Sequence, residues 1–334
     1  MLVAMGRLAI RWRARGRRAL LALLLPLMLW LAPGFNHLAI HAFVWFLPLP
    51  TGEAVLAPEE GVERILIVAP HPDDETLALG GTIAQYVREG HSVVVVFLTN
   101  GDANVAAKRL LTLNPFHRAS DYRLLGERRQ KEAVAALSVL GVPQLRTVFL
   151  GYPDRGLMAL WSGHWTQQNP YRSPYTKASR TSFYANSYNP GAVYCGEDLL
   201  ADLTEISSHF RPTIVFLPHP ADTHPDHQAG FRFASAALAE GELPELPEVR
   251  LYLVHALDWP APRRLAPELS LDPPDGDEGW QRVLLPEEVV ERKLRALRCY
   301  SSQWWTCARF LSSFVRQNEL FFPQGFWPFA PGSS

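Results

Sequence analysis

The chain has 334 residues, 48 % of them hydrophobic and 19 % charged, with 32 basic against 33 acidic side chains. That is enough to bury a core of one large or two medium domains, and it excludes a disordered or collagen-like chain. The formal charge of −1 hides an asymmetry: Arg7, Arg11, Arg13, Arg15, Arg17 and Arg18 precede residue 19 with no acid among them, leaving 26 basic and 33 acidic residues in the body. An acidic body lacks the clustered cations that phosphate backbones require, so nucleic acid is excluded as a partner.

Behind the arginines runs an apolar stretch from Ala19 to Ala32, then Pro33-Gly34, and a second apolar run from Leu38 to Pro50. Extended to Phe35, the first run approaches the ~20 residues that span hydrocarbon. No clean small-x-small cleavage site follows Ala32, and Trp30, Trp45 and Phe46 suit an interfacial belt. The expectation is therefore residues 1–50 as a basic, hydrophobic anchor of signal-anchor type, a single transmembrane pass. The preceding arginines would hold the amino terminus in the cytoplasm and put residues 51–334 on the extracytoplasmic side.

From Gly61 short apolar runs alternate with amphipathic stretches. Strands are expected at 64–69, 92–98, 147–150, 213–217 and 249–254, and helices at 74–88, 120–140, 197–210, 225–239 and 286–300. Continuous apolar strands separated by helices predict a Rossmann-like α/β fold, a mostly parallel sheet with helices on both faces. Two stretches break the rhythm: an aromatic insertion at 152–196, and a Pro-, Asp- and Gly-bearing excursion at 258–284. The insertion reads either as a lid packed on itself or as a platform for sugar rings. Cys195, Cys299 and Cys307 form no CxxC pair, and no GxGxxG, GxxxxGK[ST] or GxSxG motif occurs.

Chemistry gathers at the carboxyl ends of two strands, where open α/β sheets place their sites. The first ends in Ala69-Pro-His71-Pro-Asp73-Asp74-Glu75; the fourth ends in Pro218-His219-Pro-Ala-Asp222-Thr-His224-Pro-Asp226-His227. Imidazole and carboxylate together suit a borderline divalent metal, and prolines between them fix φ and hold the turn in shape. One such turn is readily explained by helix capping; two on one sheet are not. His219, at the same strand end, reads either as a cavity-lining residue or as a satisfied structural histidine, and His255 follows the last strand, where a side chain could reach the substrate.

These two motifs, with Gly80-Gly81, Arg129-x-x-Glu132, Gly151-Tyr-Pro-Asp154 and Tyr300-Ser-Ser-Gln303, resemble the PIG-L/LmbE family of zinc-dependent N-acetylglucosaminyl deacetylases over residues 64–303. The resemblance implies His71, Asp74 and His227 as ligands of Zn2+, leaving an open position for water. It implies Asp73 as general base, and His224 as oxyanion stabiliser or proton donor with Asp226 orienting its ring. Arg129 and Asp154 match positions that hold sugar substituents. Two histidines and a carboxylate also suit Fe2+. The implied activity is removal of acetate from an N-acetylated amino sugar; a carbohydrate-binding or scaffold protein of the same fold is the alternative.

Overall fold

The computed structural model describes residues 42–51, 54–274, 276 and 278–324. The chain divides into two units, Met1–Phe46 and Leu47–Ser334. In the second, strands β1 (Arg64–Ala69), β2 (Ser92–Thr99), β3 (Thr147–Tyr152), β4 (Ile214–Pro218), β5 (Glu248–Tyr252), β6 (Gln281–Leu284) and β7 (Asn318–Gln324) form one sheet in the order β3-β2-β1-β4-β5-β7-β6. The first five run parallel, and β7 and β6 close one edge antiparallel. Apolar residues on both faces of the central strands bury Ile65, Ile67, Val95 and Phe216 on one side and Leu66, Val68, Val96 and Leu217 on the other. β2 is buried throughout, as a strand covered by helices on both faces must be.

The helices are α1 (Asp74–Arg88), α2 (Val105–Thr112), α3 (Ala119–Leu140), α4 (Leu157–Ser162), α5 (Gly196–Phe210), α6 (Pro225–Glu240), α7 (Glu287–Cys299) and α8 (Ser301–Ser312). The long elements lie where hydrophobic periodicity places them. The short ones were not expected: α2 begins on an Asn104 cap that accepts from the Ala107 N–H, and α8 is interrupted by non-helical dihedrals at Cys307, which breaks its 3.6-residue period. β6 lies inside the 258–284 excursion, and β7 lies beyond the last expected helix. The Gly80-Gly81 pair has a packing reason. A Cβ on Gly81 would meet Leu285 at 2.5 Å, and one on Gly80 would meet Lys293 at 3.1 Å, so the glycines let α1 approach α7 and the segment before it.

The 152–196 insertion folds against the body. Trp161 meets Phe233 of α6 edge-on, and Trp165 stacks on the same ring. The Tyr184 hydroxyl donates to Asp102 at 2.6 Å, and that of Tyr194 to the Gly151 carbonyl at 3.0 Å. These side chains are committed to the fold.

The membrane-anchored, extracytoplasmic placement of the body is corrected. Among the described residues no helix is long and apolar enough to cross a membrane. The run at 19–35, on which the anchor was placed, lies outside the described residues.

Candidate metal and active site

Both motif turns converge beyond β1 and β4, the strands at the centre of the sheet. Pro70 ends β1, and its carbonyl accepts from the Thr99 N–H at 3.0 Å, fixing the turn to the end of β2. Asp73 then adopts φ 127° immediately before α1, a region that a residue bearing a Cβ rarely enters and that costs about 1–3 kcal/mol. The second turn is relaxed. Pro225 occupies the first position of α6, where its missing N–H is no loss, and His224 caps the helix by accepting the Asp226 N–H on Nδ1 at 3.2 Å.

The turns place Asp74 Oδ2 between two imidazoles, 3.2 Å from His71 Nδ1 and 3.1 Å from His227 Nε2. Each ring is backed by carboxylate on its far side. His71 Nε2 lies 3.2 Å from Asp226 Oδ2 and 3.3 Å from Asp154 Oδ1; His227 Nδ1 lies 3.0 Å from Asp222 Oδ2. All six groups are buried. The carboxylates are themselves held by backbone: Asp154 accepts from Ala103 N–H at 2.6 Å, Asp226 from Arg155 and Leu157 N–H at 2.6 and 3.1 Å, and Asp222 from Val254, His255 and His224 N–H at 3.1, 2.9 and 2.8 Å. His224 and His255 complete a wall of rings, 5.3 Å apart between centroids, and His255 stacks on Phe310.

Asp73, the residue before Asp74, has a different partner. Its carboxylate meets the Arg129 guanidinium at 3.0 Å, and Arg129 also donates to the carbonyls of Pro72 and Gly101. A Cβ on Gly101, whose φ is 61°, would lie 2.0 Å from Arg129 Nη1, so only glycine admits the guanidinium there.

Burial opposes protonation of His71, but Asp154, Asp226 and Asp74 outweigh it and hold the ring well above the usual histidine range. Burial likewise opposes the charge on His227, yet Asp74 and Asp222 lift it to about 9. Burial penalises the charge on Asp74, and the two imidazoles still hold it well below the usual carboxylate range. Asp73 is pushed up to about 7 by burial against the pull of Arg129. His224 and His255 are pushed down to about 4, by burial first and then by neighbouring rings.

This donor set fits a divalent cation. Ligand atoms of His71, His224 and His227, of Asp74, His227 and His255, and of His71, Asp154 and Asp226 each fall within 4.8 Å of one another. The Asp74–imidazole separations are close to the edge of about 3.4 Å in a tetrahedron with bonds of about 2.0–2.1 Å. Both nitrogens of His227 are buried and lie within ion-pair distance of carboxylates, yet neither makes an aligned hydrogen bond; an orphaned buried ring of this kind is what a bound cation satisfies. Carboxylates behind both rings fix which nitrogen faces forward, the arrangement usual behind metal-bound histidine.

The expected residues are thus brought together with changes of partner: the Asp226 carboxylate faces His71 rather than the ring of His224, to which it offers its backbone N–H, and Arg129 and Asp154, expected at sugar substituents, lie against Asp73 and His71. His219 stands apart, stacked on Trp280 and edge-on to Phe322. The role of Asp222 was not anticipated, although its place two residues before His224 in an Asp-x-His-Pro-Asp-His run was a signal. Its reach back to His227 and across to the end of β5 is visible only in the fold.

Residues 66–238, just over half of the chain, match the family model described as GlcNAc-PI de-N-acetylase, PIG-L. A 1D-myo-inositol 2-acetamido-2-deoxy-alpha-D-glucopyranoside deacetylase from Mycobacterium sp. (strain KMS) is 31 % identical over 256 residues, covering 73 % of this chain and 75 % of the relative. Among solved structures, N,N'-diacetylchitobiose deacetylase from Pyrococcus horikoshii aligns over 87 % of this chain and 91 % of its own at 21 % identity and a TM-score of 0.50. So does a 4-carboxy-2-hydroxymuconate hydratase from Pseudomonas putida, over 82 % of this chain and all of its own, at 15 % identity and 0.50. One fold therefore carries two chemistries, and likeness of fold alone does not choose between them. Sequence does so at the level of family: the chain belongs to the PIG-L family of de-N-acetylases.

Proposed function

We propose that the chain is a metal-dependent hydrolase that removes the acetyl group from an N-acetylglucosamine-type amino sugar. The observation that carries this reading is Asp74 Oδ2 set between His71 Nδ1 and His227 Nε2, with the Asp73 carboxylate on the adjacent residue. The mycobacterial relative named above is a deacetylase of a 2-acetamido sugar, which supports the substrate class.

His71, Asp74 and His227 would hold the cation; a donor set of two imidazoles and one carboxylate suits Zn2+, and Fe2+ is workable. A cation bound there would supply Lewis acidity and lower the pKa of water towards ~7. Asp73 would accept the proton of the attacking water as its oxygen adds to the acetamide carbon. His224 accepts the Asp226 N–H on Nδ1, so its ring hydrogen sits on Nε2, a donor for the charge that develops on the carbonyl oxygen. When the C–N bond breaks, acetate leaves and the amine takes back the proton carried by Asp73. Arg129 and Asp154 are already engaged, one with Asp73 and the other with His71. Their part is to hold those groups, and sugar recognition falls to the more exposed rim.

The test is metal content together with acetate release from N-acetylglucosaminyl-inositol, diacetylchitobiose and an N-acetylglucosaminyl glycolipid. Stoichiometric metal and acetate from at least one substrate are expected. Metal-replete protein that releases acetate from none of them would favour the non-catalytic carbohydrate-binding reading.

A further inference from the structure

Behind the strained Asp73 lies a second buried carboxylate that the deacetylation chemistry does not use. Glu75 Oε2 accepts the backbone N–H of Asp73 at 3.1 Å. Its other oxygen accepts hydroxyl hydrogens from Thr76 and from Tyr300. Glu75, Thr76 and Tyr300 are all fully buried. Tyr300 belongs to a different layer, the junction of α7 and α8, and reaches Glu75 across 225 residues of chain.

We infer that the Tyr300–Glu75 hydrogen-bond chain is a positioning device that holds Asp73 in its positive-φ conformation. A residue with a Cβ stays at φ 127° only where its surroundings over-determine it. Each polar group of this residue is held. Its carbonyl accepts from Thr76 and Leu77 N–H at 3.1 and 2.8 Å, which opens α1. Its carboxylate is gripped by Arg129, which also holds the preceding carbonyl of Pro72. Only the N–H remains, and without its acceptor the peptide between Pro72 and Asp73 would be tethered by its carbonyl alone, held less firmly against rotation towards an unstrained dihedral. Glu75 removes that freedom. Capping of α1 by itself explains a carboxylate near its first turn, but it does not require a hydroxyl delivered from the α7–α8 junction to fix where that carboxylate sits.

The inference rests on the reading of Asp73 as the proton-accepting group. It makes Glu75 and Tyr300 positioning residues: their loss should lower turnover while leaving substrate affinity and metal affinity in place.

Tyr300→Phe removes one hydroxyl without opening a cavity. Glu75→Gln retains an acceptor for the Asp73 N–H, whereas Glu75→Ala does not. In the metal-loaded full chain, kcat is expected to fall about ten-fold in Tyr300→Phe and about a hundred-fold in Glu75→Ala. Glu75→Gln should recover part of that loss, and KM and the metal Kd should stay within two-fold throughout. A kcat within two-fold of the parent in Tyr300→Phe and Glu75→Gln overturns the inference, and so does a loss that tracks metal affinity or the folded fraction. If Glu75→Ala does not fold, the other two variants decide. Crystal structures of Tyr300→Phe and Glu75→Gln give a readout that needs no turnover: displacement of Asp73 from φ near 127° or from its contact with Arg129 supports the inference, and an unchanged turn in both overturns it. A parent chain that releases no acetate counts against the deacetylase reading, and the crystallographic arm still decides this one.

Discussion

Two clusters of buried charge touch α1, one at its first residue and one at Gly81 and Thr82, and they are built to different rules. At the antiparallel edge Lys293 Nζ meets Glu319 Oε1 at 2.6 Å, and Glu319 also accepts the N–H groups of Gly81 and Thr82 and the Thr82 hydroxyl, at 2.7, 2.8 and 2.7 Å. One cation faces one anion, and the anion's oxygens are filled by four donors. At the carboxyl ends of β1 and β4, by contrast, Asp73, Asp74, Asp154, Asp222 and Asp226 crowd around Arg129 and two imidazoles, one residue is held at positive φ, and the nitrogens of His227 have no aligned partner. The first arrangement is closed and serves only the fold. The second stores strain and excess negative charge, which are costs unless something binds there.

The contrast is sharpest in what each cluster loses when it is broken. Asp73→Asn should cut turnover by about 10²–10⁴-fold while metal content holds. Turnover near that of the parent would remove Asp73 as the base. Glu319→Gln should do the reverse, costing about 3–5 kcal/mol of stability because Lys293 is left without its counter-charge, with kcat per folded molecule unchanged. If Glu319→Gln slowed the folded enzyme, the two clusters would not be separate. His224→Ala should lower kcat by about 10²–10³-fold, the usual loss of one oxyanion donor, with metal retained, as kinetics beside metal analysis would show. Asp222→Asn, which keeps the shape behind His227 but not the charge, should weaken metal binding about 10–100-fold, measured by chelator competition.

How far the two clusters could be read in advance follows from the range of the interactions that build them. β1, the turn after it and α1 were legible because their signals are local: an apolar run, two prolines, then acids at a helix start. The same holds for His224-Pro225-Asp226-His227. That both turns face one point follows from placing β1 beside β4, which the topology of a parallel sheet makes natural. Arg129 was legible as a functional position but not in its target, since only the approach of α3 to Gly101 shows that it grips Asp73. The Lys293–Glu319 pair, the reach of Asp222 and the hydroxyl of Tyr300 join residues 26 to 225 positions apart, and no periodicity announces such contacts. The amino-terminal anchor was read from apolar composition alone, and among the described residues no helix is long and apolar enough to cross a membrane.

The strain itself can be measured apart from the chemistry. Asp73→Gly and Asp73→Ala both lack the carboxylate, so both lose the contact with Arg129 and relieve the crowding against Asp74 equally. They differ in the Cβ. Glycine enters positive φ at little cost, whereas alanine keeps the steric conflict. Glycine also gives up about 0.5–1 kcal/mol to the greater freedom of its unfolded chain, against about 1–3 kcal/mol of strain released. Asp73→Gly should therefore be the more stable of the two by about 1 kcal/mol in denaturant titrations, although neither turns over substrate. At an unstrained position the order reverses, so alanine more stable than glycine would show that the turn is relaxed and that the comparison with the Lys293–Glu319 cluster rests on charge alone.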